Sequence, residues 1–224
     1  MSKNPVVTFN NVRVSYDNRV VLDDIDFSLE NGDFVYLIGQ TGAGKSSFLK
    51  LIYHDALPDS GHIEVAGHRI PQIKQKKVPY LRRKLGIVFQ DFQLLPDRNV
   101  FDNVAFSLRV TGTKKRKIKQ RALEVLGMVG LSHKRKNMPE ELSGGEQQRI
   151  VIARALANEP RIMLADEPTG NLDPEASESI MELLESINNR GMSILMVTHD
   201  YDTVKKYPHT TYQLKDGSLS KVQL

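Results

Sequence analysis

The sequence contains no cysteine. That absence excludes disulfides, cysteine-ligated zinc and thiol catalysis, and it suits a reducing compartment. No apolar run approaches the roughly 18 residues that a membrane helix needs, so work at a membrane would require another chain to hold this one there. The opening residues, MSKNPVVTFNNV, have no basic start followed by an apolar stretch. No secretory signal is expected from them. Internal repeats and low-complexity linkers are missing too. Charge is nearly balanced, with 31 Lys+Arg against 27 Asp+Glu and a formal net charge of +4. So mild an excess permits contact with an anionic membrane or a nucleic acid and demands neither, and no specific nucleic-acid partner is expected.

What is present suffices for a globular chain of one or two domains. There are 224 residues, 40% of them hydrophobic and 26% charged, enough for a sizeable core. The first third alternates with period two. Val12, Val14 and Tyr16 alternate with Arg13 and Ser15; Ile25, Phe27 and Leu29 with Asp26, Ser28 and Glu30; Ile63 and Val65 flank Glu64. Such alternation predicts strands with one wet face. Four other runs, FVYLIG, LGIVFQ, RIMLAD and SILMVTHD, are apolar throughout. They predict strands buried on both faces, as in a parallel sheet covered by helices. Ligands of open α/β sheets bind at the carboxyl ends of the strands. Gly39, Gln90, Asp166 with Glu167, and His199 are therefore expected along one edge.

Between Asp91 and Pro160 the pattern turns helical. Ile118, Ala122, Val125, Leu126 and Val129 recur at helical spacing, which predicts a helical lobe inserted into the α/β core. A further helix is expected in DPEASESIMELLESINNRG, with Asp173 as its cap, Pro174 in its first turn and Gly191 at its end.

GQTGAGKS, residues 39–46, fits G-x-x-x-x-G-K-[ST], with an apolar strand before it and apolar FLKLI after it. Glycines let backbone N–H groups turn toward phosphate oxygens, and the helix start adds its positive dipole end. Lys45 supplies a point charge at the β and γ phosphates, and the Ser46 hydroxyl can ligate Mg²⁺. The bland alternative, a glycine-rich turn before an ordinary helix, does not account for strand, motif and helix in this order. RIMLADEP carries Asp166 to a strand end, where it can hold the metal, with Glu167 next to it. A carboxylate at a metal–phosphate centre can polarise an attacking water; otherwise Glu167 is a surface ion pair or a cap. His199 could contact the γ-phosphate or orient the water, or be a satisfied structural histidine. Gln90 could offer its amide oxygen to Mg²⁺ or water. The Tyr16 ring could stack on adenine or pack in the small sheet.

A second glycine-rich helix start lies about a hundred residues downstream. In LSGGEQQR, Ser143 and Glu146 form the S-x-x-E pattern of a capping box. Capping does not require Gly144 and Gly145, each of which costs roughly 0.5–1 kcal/mol against alanine in a helix. Bare backbone at a helix N-terminus is what an anion site needs, so a second phosphate site is expected here.

LSGGEQQR resembles the signature of the ABC-type ATPases, and the rest of that family's motifs follow in order over essentially the whole chain. Tyr16 matches the aromatic that stacks on adenine. Gly39, Gln40, Thr41, Gly42, Ala43, Gly44, Lys45 and Ser46 match Walker A, with Ser47 beside them where relatives often have threonine. Gln90 matches the Q-loop, and Leu142 to Gln147, with Ser143, Gly144, Gly145 and Glu146 at its centre, match the signature. Asp166 and Glu167 match Walker B and the catalytic glutamate, Asn171 to Asp173 the D-loop, and His199 the switch histidine. The resemblance implies one ATPase domain over 1–224, its α/β P-loop core at about 1–90 and 160–224, with a small antiparallel β subdomain and a helical subdomain at about 91–159. It implies ATP and Mg²⁺, the metal held by Ser46, Gln90 and Asp166. It also implies a head-to-tail homodimer on ATP binding, each signature serving the ATP in the other subunit's cradle.

VPYLRRKLGIVFQDFQLLPDRNVFDNVAFSLRVTG, with ADEPTGNLD, resembles the cell-division branch of the family, whose near relatives serve lipoprotein release and macrolide efflux. That implies an integral membrane partner of the FtsX type, docking near Asp91–Val100, and a cytoplasmic chain held peripherally at the inner face of a bacterial membrane. Rival readings are an exporter subunit of the lipoprotein-release or macrolide type, a soluble ABC protein acting on nucleic acid or the ribosome, and a slow-turnover ATP-gated scaffold. The basic run TKKRKIKQR is either a solvated helix face or a contact for anionic headgroups.

Overall fold

The computed structural model describes residues 5–17 and 19–224. The first residues of MSKNPVVTFNNV, 1–4, lie outside the described residues, as does Asn18. In chain order come β1 Pro5–Tyr16, β2 Arg19–Glu30, β3 Phe34–Ile38, α1 Lys45–Ile52, β4 Ser60–Val65, β5 His68–Ile70, α2 Val78–Arg82 and β6 Leu85–Val88. Then follow the helices α3 Val100–Val110, α4 Lys115–Met128 and α5 Gly144–Leu156. The chain ends with β7 Ile162–Asp166, α6 Pro174–Asn188, β8 Ser193–Thr198, α7 Tyr201–Lys206, β9 Thr210–Lys215 and β10 Ser218–Val222.

Two sheets form. The antiparallel one has the order β2-β1-β4-β5 and the larger one β10-β9-β3-β8-β7-β6. In the larger sheet every pairing is parallel except β9 with β10. The four continuous apolar runs are its strands β3, β6, β7 and β8, and their lack of alternation has a direct cause. Tyr36 and Ile38, Met163 and Ala165, Ile194 and Met196 face a core shared with α3–α6. The residues between them, Val35, Leu37, Ile162, Leu164, Leu195 and Val197, face a second core with α1 and the antiparallel sheet. Both faces are dry, so both parities are apolar. In β1 and β2 the alternation holds where one face is wet: Val12, Val14, Ile25, Phe27 and Leu29 are buried, whereas Arg13, Asp26 and Ser28 are exposed. Tyr16, at the end of β1, is 44% exposed.

Helices α3, α4 and α5 leave the sheet after β6 and return at β7. Ile118, Ala122, Val125, Leu126 and Val129 are all buried. Asn103 on α3 is fully buried and satisfied. Its Oδ1 accepts from Leu95 N at 2.8 Å and its Nδ2 donates to the carbonyls of Leu95, Arg98 and Asn99. Loop 95–99 is thereby pinned to the helix, because a buried amide left unpaired costs about 1–3 kcal/mol. Asp173 caps α6, accepting from Ala176 N at 2.9 Å, and Gly191 takes φ +95 just past the helix end.

Candidate active site

The site grows from the carboxyl ends of adjacent strands. After β3 the chain turns through Gly39–Gly44 into α1. At Gly44 the backbone has φ +105, and a Cβ there would lie 3.0 Å from Val21 Cγ1. At Gly39 a Cβ would lie 2.5 Å from the Leu214 carbonyl oxygen. Both positions therefore admit only glycine, one by conformation and crowding, the other by crowding alone. Lys45 is 8% exposed, and its Nζ donates to the carbonyls of Gly39 at 2.7 Å and Gln40 at 3.1 Å. Two of three donors thus hold the ammonium across the loop, and the third remains for an anion. Ser46 is exposed and Ser47 half-buried in the first turn of α1. Beside the loop lies a cleft of ≈ 610 Å³, walled by Arg19 and Val21 at the start of β2, by Gln40–Ala43 and by the β9–β10 turn. Tyr16 pairs with Arg19, which lines this cleft, but is not itself one of the lining residues.

Asp166 ends β7. Burial and the neighbouring Glu167 charge push its carboxyl above the ordinary carboxylate value, and Lys45 pulls it back. A cation beside it would offset both destabilising causes. Among the described residues no cluster of three or more acidic, histidine or cysteine side chains forms a metal site. One carboxylate and a nearby hydroxyl suit Mg²⁺, which keeps waters and shares phosphate oxygens rather than filling a protein cage.

Glu167 makes the turn after β7 with φ +46, in the left-handed region that side chains other than glycine seldom adopt. Its N–H donates to the Val197 carbonyl of β8 at 2.9 Å. Its Oε2 lies 2.6 Å from His199 Nδ1, just past β8; the carboxylate is 17% exposed and the imidazole 59%. Gly170 packs against the same group. A Cβ there would lie 3.2 Å from Gln90 Nε2 and 3.5 Å from Glu167 Oε2. Asn171 Nδ2 donates to the Gln90 carbonyl at 3.1 Å. Gln90 and Glu167 therefore meet at one glycine, and that glycine, Glu167 and His199 line a ≈ 560 Å³ cleft. Gly170→Ala should press on the first two and lower turnover about 10- to 100-fold, because small misplacements of reacting groups are costly. ATP affinity should change little; steady-state kinetics with calorimetry checks this.

Ser143 caps α5. Its Oγ accepts from Glu146 N at 3.2 Å, and Glu146 Oε2 accepts from Ser143 N at 3.1 Å, completing the capping box. The glycines that follow have a reason within the chain as well. A Cβ on Gly144 would lie 3.2 Å from Leu172 Cδ2, and one on Gly145 3.1 Å from Ala176 Cβ. Among the described residues no hydrogen bond or ion pair joins residues 143–146 to the cradle. Two further residues that the sequence pattern did not single out tie the elements together. Arg154 on α5 donates to the carbonyls of Gln93 at 2.7 Å and Phe92 at 3.3 Å, and Asn103 holds the end of the same loop.

A P-loop at one strand end, with an acidic strand end and a histidine on the next two strands, defines an ATP-hydrolysing cassette. The chain belongs to the ABC transporter family, whose model matches residues 22–170. Among curated proteins, the cell division ATP-binding protein FtsE of Streptococcus pneumoniae D39 is 46% identical over 215 residues, 96% of this chain and 94% of that protein. FtsE of Escherichia coli K12 is 44% identical over 96% and 97%. The solved dimeric structure of the ABC transporter cassette MJ0796 superposes with a TM-score of 0.83 at 34% identity, over 97% of this chain and 99% of that one. The same cassette has been solved in a post-hydrolysis state bound to ADP and Pi.

Proposed function

We propose that this chain is the ATP-hydrolysing subunit of a bacterial cell-division complex of the FtsE type, acting as a homodimer that closes around two ATP molecules. The Glu167–His199 pair, 2.6 Å apart at neighbouring strand ends beside the cradle, carries the reading. The amides of residues 39–46 and the Lys45 ammonium hold the phosphates, and Tyr16 stacks on the base. Ser46, Gln90 and Asp166 would hold Mg²⁺, which when bound neutralises charge on the phosphates. Glu167 takes a proton from the attacking water, and His199 fixes the carboxylate that does so. Ser143, Gly144, Gly145 and Glu146, with Asp173 close by in sequence, serve the partner subunit's nucleotide. Lys45→Ala removes a charge-assisted bond worth about 1.5–3 kcal/mol. ATP should bind about 10- to 100-fold more weakly with the fold intact, as calorimetry and circular dichroism can check.

The membrane partner, an integral protein of the FtsX type, docks near residues 91–100. This segment runs from Gln90 into the helical lobe and is clamped at both ends, by Arg154 at Phe92 and Gln93 and by Asn103 at Leu95 to Asn99. A push at Gln90 is therefore transmitted rather than absorbed. Asp97 is exposed, and Arg98 lies over the Phe106 ring at 4.4 Å. Asp97→Lys and Arg98→Glu should weaken capture of the partner about ten-fold while basal hydrolysis stays within two-fold, since rim charges set association more than chemistry. Recovery of the partner unchanged in pull-downs with both variants contradicts this docking surface. Such docking places the chain at the cytoplasmic face of the membrane; among the described residues no helix is long and apolar enough to cross it.

A further inference from the structure

Charge is unevenly spread over this chain. Between Glu64 and Asp91, and again between Asp102 and Glu124, there is no acidic residue, yet these two stretches hold 14 of the 31 Lys+Arg. The remainder carries 17 basic residues against all 27 acidic ones. The fold brings the two basic stretches together. Arg82 and Arg83 at the end of α2 share a ≈ 410 Å³ depression with Val110 and Thr111 at the end of α3. Thr111 Oγ1 bonds Asn158 Oδ1 at 2.7 Å, and on the far side of Asn158 the first turns of α4 line the next depression. Arg82, Arg109 and Arg121 reach Asp55, Asp102 and Glu124. Lys74, Lys76, Lys77, Lys114, Lys115 and Arg116 are exposed, and among the described residues none has an acidic partner within 4.0 Å. Two large apolar side chains stand out from this same face: Tyr80 is 58% exposed and Val110 61%. Arg83 lies over the Tyr80 ring at 5.0 Å.

We propose that this face, α2 with the segment before it and the α3–α4 turn, binds the surface of an anionic lipid bilayer directly. The contact is independent of the partner docking at residues 91–100, which lie at the other end of α3. The chemistry favours lipid over the other polyanions. Five of the six unpaired cations just named are lysines, point charges on flexible stems, and Arg116 is the one fork of the kind that reads phosphates in fixed geometry. Among the described residues Tyr80 is the one large exposed aromatic on this face, too few for a base-stacking platform. A tyrosine and a valine among lysines match the headgroup boundary, where an amphipathic ring lies between wet and apolar layers. Each basic side chain near such a surface adds about five-fold to binding.

Vesicle sedimentation with the purified full chain tests this, without any membrane partner. Vesicles of phosphatidylcholine with about 30% phosphatidylglycerol should pull the chain down at low salt, and phosphatidylcholine alone should not. Reversing Lys76, Lys77 and Lys115 to Glu should weaken that binding on the order of ten-fold or more. Reversing the exposed Arg190, Lys205 and Lys221 to Glu, outside the face and away from the cradle, should leave it within about two-fold. Tyr80→Ser with Val110→Ser should remove the part that survives high salt. ATP turnover near the wild-type rate in every variant shows that each is folded. Failure to bind the anionic vesicles, equal losses in both charge-reversal sets, or tighter binding to duplex DNA than to the vesicles at the same salt overturns the proposal.

Discussion

Glu167→Gln should bind ATP with near-normal affinity and hydrolyse almost none of it. The substitution keeps the shape of the side chain and one hydrogen-bonding oxygen for His199, so the turn after β7 and the contact near 2.6 Å have no reason to collapse. What it removes is basicity. A positioned general base contributes roughly 10²- to 10⁴-fold, so turnover should fall by that factor. Because ATP is held but not consumed, the closed dimer should accumulate and be visible by light scattering as a doubling of mass. Retention of most of the hydrolysis rate would show that another group activates the water.

Ser143→Arg separates two accounts of the signature. If the α5 N-terminus served its own cradle, the variant should lose ATP affinity much as Lys45→Ala does. If it serves the opposite subunit, monomeric Ser143→Arg should still bind Mg-ATP within about two-fold of wild type, because nothing in its own cradle has changed. The arginine would replace the capping hydroxyl that accepts from Glu146 N, costing about 1 kcal/mol of helix stability. That is too little to unfold a domain of this size. It would also crowd the partner subunit's nucleotide, so the ATP-dependent dimer should disappear even in a Glu167→Gln background. Calorimetry measures the first effect and light scattering the second.

How much of this was legible in the sequence differs by residue. The parallel strands announced themselves because FVYLI and ILMVT are buried on both parities, and no surface strand tolerates that. The cradle was legible because glycine identity encodes backbone crowding: Gly39 and Gly44 meet Leu214 and Val21, and no other residue fits. The β9–β10 hairpin was not singled out, although its Asp216–Gly217 turn, with φ +48 and +79, carries a recognisable signal. Its strands mix polar and apolar residues on a sheet edge. Arg154 and Asn103 left no trace, for a physical reason. Both bond backbone carbonyls, Arg154 to one 61 positions away, and a carbonyl has no residue identity. Gly144 and Gly145 show the limit of an argument from one cause. Their cost as helix residues pointed to an anion site, yet each also packs against Leu172 or Ala176 so closely that a methyl group would intrude.

The central claim is that each catalytic site is built from two subunits, the cradle of one and the signature of the other. Mixing two inactive variants tests it. In a heterodimer of Lys45→Ala with Ser143→Arg, both lesions fall in the same composite site, and the second site joins an intact cradle to an intact signature. Turnover of the mixture is the measurement. The account predicts a rate well above the sum of the two variants assayed apart; a mixture that hydrolyses no more than that sum would contradict it.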